Sequence, residues 1–274
     1  MTINCKGILI DLATPKVMGI LNVTPNSFFD GGKYKNETEI LSQVEKMLLD
    51  GAAFIDIGAY SSKPNAEFVS EKEEISRIVP VVDLILKQFP ETLLSIDTFR
   101  SEVAKATIDM GAAIINDISA GKLDDNMFEV VGKYNVPYIM MHLRGNPKTM
   151  QSLTNYDDIV KEILFYFSER VAEARRFGIN DLILDPGFGF AKTTDQNFEV
   201  FQKMELFKML ELPLLIGVSR KSMIYKTLDT KIEMALNGTT ILNTLALTKG
   251  AKILRVHDVK EAMECVTLFN KINL

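Results

Sequence analysis

Eight short apolar runs alternate with eight stretches of helical periodicity along almost the whole chain. The runs occupy 17–23, 52–59, 93–98, 112–119, 137–143, 181–188, 212–219 and 251–258. Apolar residues at three- and four-residue spacing follow each of them, over roughly 37–50, 70–88, 100–110, 123–134, 155–177, 195–210, 231–249 and 259–271. The runs are nearly continuous in Val, Ile, Leu and Ala, as parallel strands covered by helices on both faces must be. Eight βα units over about 250 residues match a closed barrel better than an open doubly wound sheet, which needs no particular strand count. The pattern predicts a single α/β domain over 1–274, a (β/α)8 TIM barrel. The first dozen residues, containing KGILIDL, predict a short N-terminal β-extension, a strand or hairpin able to plug the bottom of the barrel.

Seven of the runs carry polar residues that buried packing alone does not call for. They are Asn22, Asp56, Asp97, Asn116 with Asp117, His142, Asp185, and Arg255 with His257. The remaining run ends at Ser219 and leads directly into Arg220 and Lys221. In a parallel barrel every strand ends at the same face, so these groups converge on one mouth. One aspartate at a strand end is more often a helix cap; six or more strands behaving alike point to a site.

The converging groups divide into two chemical halves. Asp97, Asn116 and Asp185 offer mostly acceptors, which suits a flat heterocycle presenting N–H donors along an edge, because a carboxylate facing such an edge makes paired charge-assisted bonds. Met140, Phe188 and Phe190 could supply apolar faces for the ring, and could equally be core or rim packing. In Arg255-Val256-His257 the two polar residues share one face of a strand while Val256 points into the helix layer. Arg255 and His257 together read as an anion site. Asn22 can ligate a hard cation through its amide oxygen. Ser219-Arg220-Lys221-Ser222 sits where a strand turns into a helix, a place that favours negative charge but also suits a solvated turn.

Composition narrows the field. The net charge of −5 arises from interspersed Lys, Arg, Asp and Glu, so no basic patch for a nucleic acid is expected. No stretch approaches the ~20 apolar residues of a membrane span, and the N-terminus has too short an apolar run for a signal peptide. Cys5 and Cys265 stand far apart without metal-ligand spacing, which fits two free thiols in a reducing compartment. A cytoplasmic location is expected. Exposed apolar positions on the late helical segments suggest a homodimer. There is no HExxH, no Walker loop and no Ser-His-Asp or Cys-His arrangement, so covalent catalysis is not favoured. Segments 24–34 and 60–70 are rich in Gly, Pro, Asn and Ser yet contain Phe28, Phe29, Tyr60 and Phe68; such rings either pack on the barrel rim or close over a ligand.

The strings GILNVTPNSFFDGG (19–32), SIDTFR (95–100), IINDISAG (114–121), MHLRGNPKTMQ (141–151), DPGFGFAKT (185–193), GVSRKSMI (217–224) and RVHDV (255–259) resemble the dihydropteroate synthase family. They cover nearly the whole chain in family order. The resemblance implies condensation of 6-hydroxymethyl-7,8-dihydropterin pyrophosphate with p-aminobenzoate, with loss of pyrophosphate, in folate biosynthesis. It assigns the pterin to Asp97, Asn116, Asp185 and Lys221, with Met140 and Phe190 near the ring. It assigns pyrophosphate to Asn22, Ser62, Lys63, Arg255 and His257, with Mg2+ at Asn22. It places p-aminobenzoate among Phe28, Pro64, Lys221 and Ser222. Asp97, Asp185, Lys221, Arg255 and His257 would carry the chemistry, a dissociative path in which pyrophosphate leaves before the aniline attacks.

Where the family usually reads Gly-Glu-Ser-Thr-Arg-Pro-Gly, this chain reads Gly-Ala-Tyr-Ser-Ser-Lys-Pro-Asn at 58–65. Lys63 thus offers a point-charge ammonium in place of a forked guanidinium, which weakens the expected hold of that segment on pyrophosphate. Two other readings share the pterin pocket. One is a methyltetrahydrofolate methyltransferase, which has no need of the Ser-Arg-Lys-Ser and Arg-Val-His pair; the other is a barrel that binds a pterin without turnover.

Overall fold

The computed structural model describes residues 1–23, 33–59 and 69–272. An antiparallel hairpin of β1 (Thr2–Cys5) and β2 (Ile8–Asp11) precedes the repeating part. The strands β3 (Lys16–Asn22), β4 (Phe54–Gly58), β5 (Leu94–Asp97), β6 (Ile114–Asp117), β7 (Tyr138–Met141), β8 (Leu182–Asp185), β9 (Leu214–Ile216) and β10 (Ala251–Val256) follow. They close into a parallel barrel in chain order, with β10 completing the ring against β3. The helices α1 (Lys33–Leu49), α2 (Glu71–Gln88), α3 (Ser101–Asp109), α4 (Met127–Tyr134), α5 (Ile159–Arg176) and α6 (Thr194–Gln202) fall between successive strands. Both α7 (Ser222–Thr227) and α8 (Leu236–Thr248) lie between β9 and β10, and α9 (Val259–Ile272) follows β10. The (β/α)8 barrel read from the sequence is the fold.

Strand alternation sorts the core into two layers. Met18, Phe54, Ile114, Ile139, Ile183, Leu215 and Ile253 point into the barrel and fill its lower half. Ile3, Cys5 and Leu12 join that cluster from the hairpin, so the N-terminal extension seals the bottom as expected. Its position is fixed by the Asn4 backbone N–H, which donates to Asp181 Oδ2 at 2.9 Å. The residues between them in register, among them Leu21, Ile57, Ile96, Ile115, Leu184, Leu254 and Val256, point outward against Val44, Val82, Val103, Val131 and Ile163 of the helices. Burial and Asp181 push the Cys5 thiol up to about 12, leaving it unreactive at neutral pH. No helix among the described residues is long and apolar enough to cross a membrane.

Two segments differ from the periodicity. The pattern over 195–210 divides into α6 and a 3-10 helix at Met204–Leu210, and that over 231–249 begins with a 3-10 turn at Ile232–Met234 before α8. The second break has a local cause. Arg220 reaches across to the carbonyls of Ile232 and Glu233 at 3.2 and 2.8 Å, drawing them away from a continuous helix.

Candidate active site

Register brings the polar strand ends to a common level. Asp97 lies beside Asn116 on the neighbouring strand, Met141 beside Asp185, and Asn22 beside Gly58. The inward-facing positions above the apolar layer are therefore Asp56, Ser95, Asp97, Asn116, Asp185 and Arg255. All but Asp185 are joined in one network centred on Asp56, which is fully buried. Its Oδ1 accepts from Ser95 Oγ at 2.6 Å. Its Oδ2 accepts from Asn116 Nδ2 at 3.1 Å and from Arg255 Nε at 2.6 Å. Arg255 Nη2 then donates to Asp97 Oδ2 at 2.9 Å.

Burial and charge act in opposite directions on this set. Burial pushes the Asp97 carboxyl up to about 7; Arg255 pulls it back, while Asp56 adds to the rise. Burial also raises the Asp185 carboxyl, against Lys221 and a hydrogen bond from the Gly187 N–H at 2.8 Å. For Arg255, burial disfavours the charge, yet Asp56 and Asp97 outweigh it and hold the guanidinium above its ordinary range. Burial depresses Lys221 to about 8 although Asp185 opposes the shift. The mouth is an array of alternating charges in a poorly solvated place, the setting in which catalytic groups take shifted pKa values.

Lys221 is the cation nearest the ring half. It donates to the Phe188 carbonyl and lies 4.9 Å from the centroid of the Phe190 ring. Gly217, just past β9, lies between the two cations: a Cβ there would stand 3.9 Å from both Lys221 Nζ and Arg255 Cβ, an ordinary contact distance. Phe190 belongs to a small apolar cluster with Phe99, Ile118, Met141, Leu143, Met150 and Ala191.

Two aromatic or thioether assignments are corrected by strand and loop direction. Met140, expected beside the ring, is fully buried in the outer layer between barrel and helices. Met141 is the residue that turns to the Phe190 side, because a shift of one position in a strand exchanges faces. Phe188 likewise faces outward and packs on Phe201, ring centroids 5.8 Å apart.

The remaining residues fall at the rim. His257 is exposed at the end of β10, and its Nδ1 lies 2.9 Å from Ser219 Oγ, which also accepts the His257 backbone N–H at 3.1 Å. Asn22 is exposed at the end of β3. Half-buried Ser222 opens α7 next to Lys221. Arg220 does not join the mouth: it forms a two-pronged pair with Asp258 at 2.8 and 2.9 Å. Phe28, Ser62, Lys63 and Pro64 lie outside the described residues, as do Phe29, Tyr60 and Phe68. No cluster of three or more His, Cys, Asp or Glu suited to a metal occurs among the described residues.

A groove of about 880 Å3 runs beside α5, lined among others by Lys122, Arg144, Glu162, Phe165 and Met209. It contains none of Asp97, Asp185, Lys221 or Arg255, so it is the convergence of charge rather than concavity that marks the site.

Sequence reasoning placed Asp56 at the mouth without a separate role and passed over Ser95 and Lys192. Lys192 is 5% exposed and belongs to the segment that carries Asp185 and Phe190. Its presence in DPGFGFAKT was visible; its burial was not.

Comparison with known proteins gives a consistent answer. The family of pterin binding enzymes matches residues 18–257. A dihydropteroate synthase of Escherichia coli is 41% identical over 268 residues, covering 97% of this chain and 94% of that protein. A Yersinia pestis dihydropteroate synthase solved with a sulfonamide drug superposes with a TM-score of 0.92 at 39% identity, covering 100% of this chain and 99% of the other. A Xanthomonas albilineans dihydropteroate synthase solved with 4-aminobenzoic acid gives 0.91 at 34% identity, with coverage of 99% and 98%. With the family matched over most of its length and the barrel superposing end to end, this chain belongs to the dihydropteroate synthase family of pterin-binding barrels.

Proposed function

We propose that the mouth performs the family's reaction, joining a 6-hydroxymethyl-7,8-dihydropterin pyrophosphate to p-aminobenzoate with release of pyrophosphate. The observation that carries this reading is the adjacency of an acceptor-rich wall, Asp97, Asn116 and Asp185, to the cations Lys221 and Arg255. A heterocycle with N–H donors fits the first; a phosphorylated substituent fits the second.

In this reading Asp185 grips the ring edge through paired charge-assisted bonds, Asn116 and Asp97 complete the edge, and Phe190 with Met141 covers a ring face. Arg255 and His257 receive the pyrophosphate, with Ser62 and Lys63 expected to add to them. The C–O bond between the pterin methylene and pyrophosphate breaks, and its electron pair leaves with the phosphate oxygen. The ring nitrogens delocalise the resulting cation. The aniline nitrogen of p-aminobenzoate then forms the C–N bond and loses a proton to solvent. Positive charge fixed beside the leaving group does most of the work, and no strong base is required. The carboxylate of p-aminobenzoate would lie near Ser222, its ring between Phe28, Pro64 and Lys221.

Asn22 offers one amide oxygen at the rim. That single donor fits a Mg2+ ion whose other ligands are pyrophosphate oxygens and water, the usual habit of this ion. When bound, Mg2+ would neutralise part of the pyrophosphate charge.

Self-association belongs to the same proposal. Ile241 and Leu245 on α8, and Leu268 and Ile272 on α9, are exposed at i, i+4 spacing on neighbouring helices. Two apolar stripes side by side suit a second copy of this chain.

The test is pyrophosphate release with p-aminobenzoate present, alongside calorimetric binding of the pterin pyrophosphate. Asp185→Asn should weaken pterin binding by about 2–4 kcal/mol. Pterin binding without turnover would leave only the non-catalytic reading, and a methyl transfer without pyrophosphate release would favour the methyltransferase.

A further inference from the structure

Behind the ring pocket, the segment 185–192 folds into a tight loop whose backbone is hard to hold. Gly187, Gly189 and Ala191 all have positive φ, at +70°, +82° and +48°. At Gly187 a Cβ would stand 2.3 Å from the His142 carbonyl oxygen, so this position tolerates only glycine. The loop turns Asp185 toward the mouth, sends Phe188 outward and returns Phe190 to the mouth. Something must fix carbonyls that point away from any strand partner.

Lys192 does so from underneath. Its ammonium is buried and donates to the Gly187 carbonyl at 2.9 Å, the Phe190 carbonyl at 3.1 Å and His142 Nδ1 at 3.0 Å. An ammonium has three donors and no acceptor, and here each donor has a partner. His142 must therefore present Nδ1 as an acceptor, with its proton on Nε2. Burial, followed by Lys192 and Arg144, holds the imidazole well below its ordinary pKa, which keeps it neutral. The imidazole is itself fixed edge-on to Tyr166, centroids 4.9 Å apart, and its backbone N–H donates to the Asp185 carbonyl at 2.9 Å. Asn197 closes the arrangement from α6 by accepting the Gly189 N–H at 2.7 Å.

We propose that Lys192, seated on His142, is a positioning residue for pterin recognition, setting the loop that presents Asp185 and Phe190 to the ring. This rests on the assignment of Asp185 and Phe190 to the pterin pocket made above. Lys192 faces His142, Asp185, Lys221 and Arg144; burial depresses its pKa to about 7, with Asp185 opposing and Lys221 and Arg144 assisting. Loss of its proton near neutrality removes one donor from a set of three acceptors, so the loop loosens as pH rises through that range.

The experiment measures pterin pyrophosphate affinity by calorimetry and the KM for p-aminobenzoate in Lys192→Met, His142→Gln, His142→Asn and Asp185→Asn, with folding checked by circular dichroism. Lys192→Met should weaken pterin binding about 10- to 100-fold, the effect of losing one or two charge-assisted bonds. The KM for p-aminobenzoate should change less than the pterin affinity, since the loop meets that side only through the Phe188 carbonyl and the Phe190 ring beside Lys221. The alkaline limb of pterin binding should move upward from near 7 toward the about 8 of Lys221. His142→Asn keeps an acceptor where Nδ1 stands and should bind better than His142→Gln, which keeps one only at the Nε2 position. That pair decides the matter if Lys192→Met does not fold. The chain has two histidines, so the Nε2–H tautomer of His142 is directly readable by nitrogen NMR. A folded Lys192→Met protein with unchanged pterin affinity, or equal affinities in the two His142 variants, overturns the proposal. If Asp185→Asn also leaves affinity intact, the pocket assignment itself is wrong; if only Asp185→Asn weakens it, the pocket stands and the role of Lys192 falls.

Discussion

Arg255 bridges two carboxylates, its Nε 2.6 Å from Asp56 Oδ2 and its Nη2 2.9 Å from Asp97 Oδ2. The two partners differ in kind. Asp56 is fully buried and already holds Ser95 and Asn116, whereas Asp97 stands nearer the mouth, where a ring can compete for it. Asp56 thus fixes the guanidinium, and Asp97 can exchange partners without releasing it.

Replacing Asp56 by Asn should therefore damage the pyrophosphate side more than the ring side. Breaking a buried pair by removing one partner costs about 3–5 kcal/mol, and part of that should appear as a lower Tm. We expect kcat to fall by about 100-fold while pterin affinity falls less, because the lost charge placement matters most as pyrophosphate departs. Steady-state kinetics with calorimetry measures the split. Equal losses in both would show that Asp56 shapes the whole pocket.

The pH profile follows from the shifted groups. Raising pH through about 7 ionises Asp97, a gain for binding ring N–H groups. Raising it further discharges the lysines, Lys192 from about 7 and Lys221 by about 8, which is a loss. The kcat/KM for the pterin substrate should be bell-shaped with a narrow maximum between these limits. Asp97→Asn should remove the acid limb, and Lys192→Met should move the alkaline limb from near 7 toward the about 8 of Lys221. A flat profile from pH 6 to 9 would contradict the burial-driven shifts.

Gly187→Ala tests the loop directly. The added methyl carbon would meet the His142 carbonyl and the residue would sit at φ +70°. The strain should cost about 2–4 kcal/mol, visible as a fall in Tm of several degrees with loss of pterin binding. Gly178→Ala is the control. It also has positive φ, at +79°, but a Cβ there meets nothing within 4 Å, so only the backbone preference is lost.

Self-association can be checked by light scattering. Ile241→Lys with Leu268→Glu should lower the molar mass from that of two chains to one, if α8 and α9 form the contact. The fold should survive, as both side chains are exposed. A monomeric parent protein would dispose of the idea.

Much of this architecture was legible in the residues. The strand positions followed from apolar runs, and the polar strand ends marked Asp97, Asn116, Asp185 and Arg255 because such groups have no packing reason to be there. The outward turn of Val256 and the inward turn of Arg255 toward Asp56 and Asp97 also followed from strand alternation. Met140 shows where the reading failed. Two methionines stand in succession, both buried, and only the parity of β7 decides which one faces the mouth. Counting from inward Ile139 gives Met141. Phe188 failed for a different reason: it lies past the end of β8, in a loop whose positive φ values break the alternation. The partnership of Lys192 with His142 spans fifty positions and depends on that same loop, so neither local propensity nor spacing could reveal it.

The β1–β2 hairpin has a consequence for traffic. Ile3, Cys5 and Leu12 cork the far end of the cylinder, and the apolar layer above them is continuous. Both reactants and both products must then use a single doorway. A departing diphosphate and an arriving aromatic amine share one corridor, so the sequence of arrivals and departures is constrained by the corked end of the barrel as much as by the affinities at its open one.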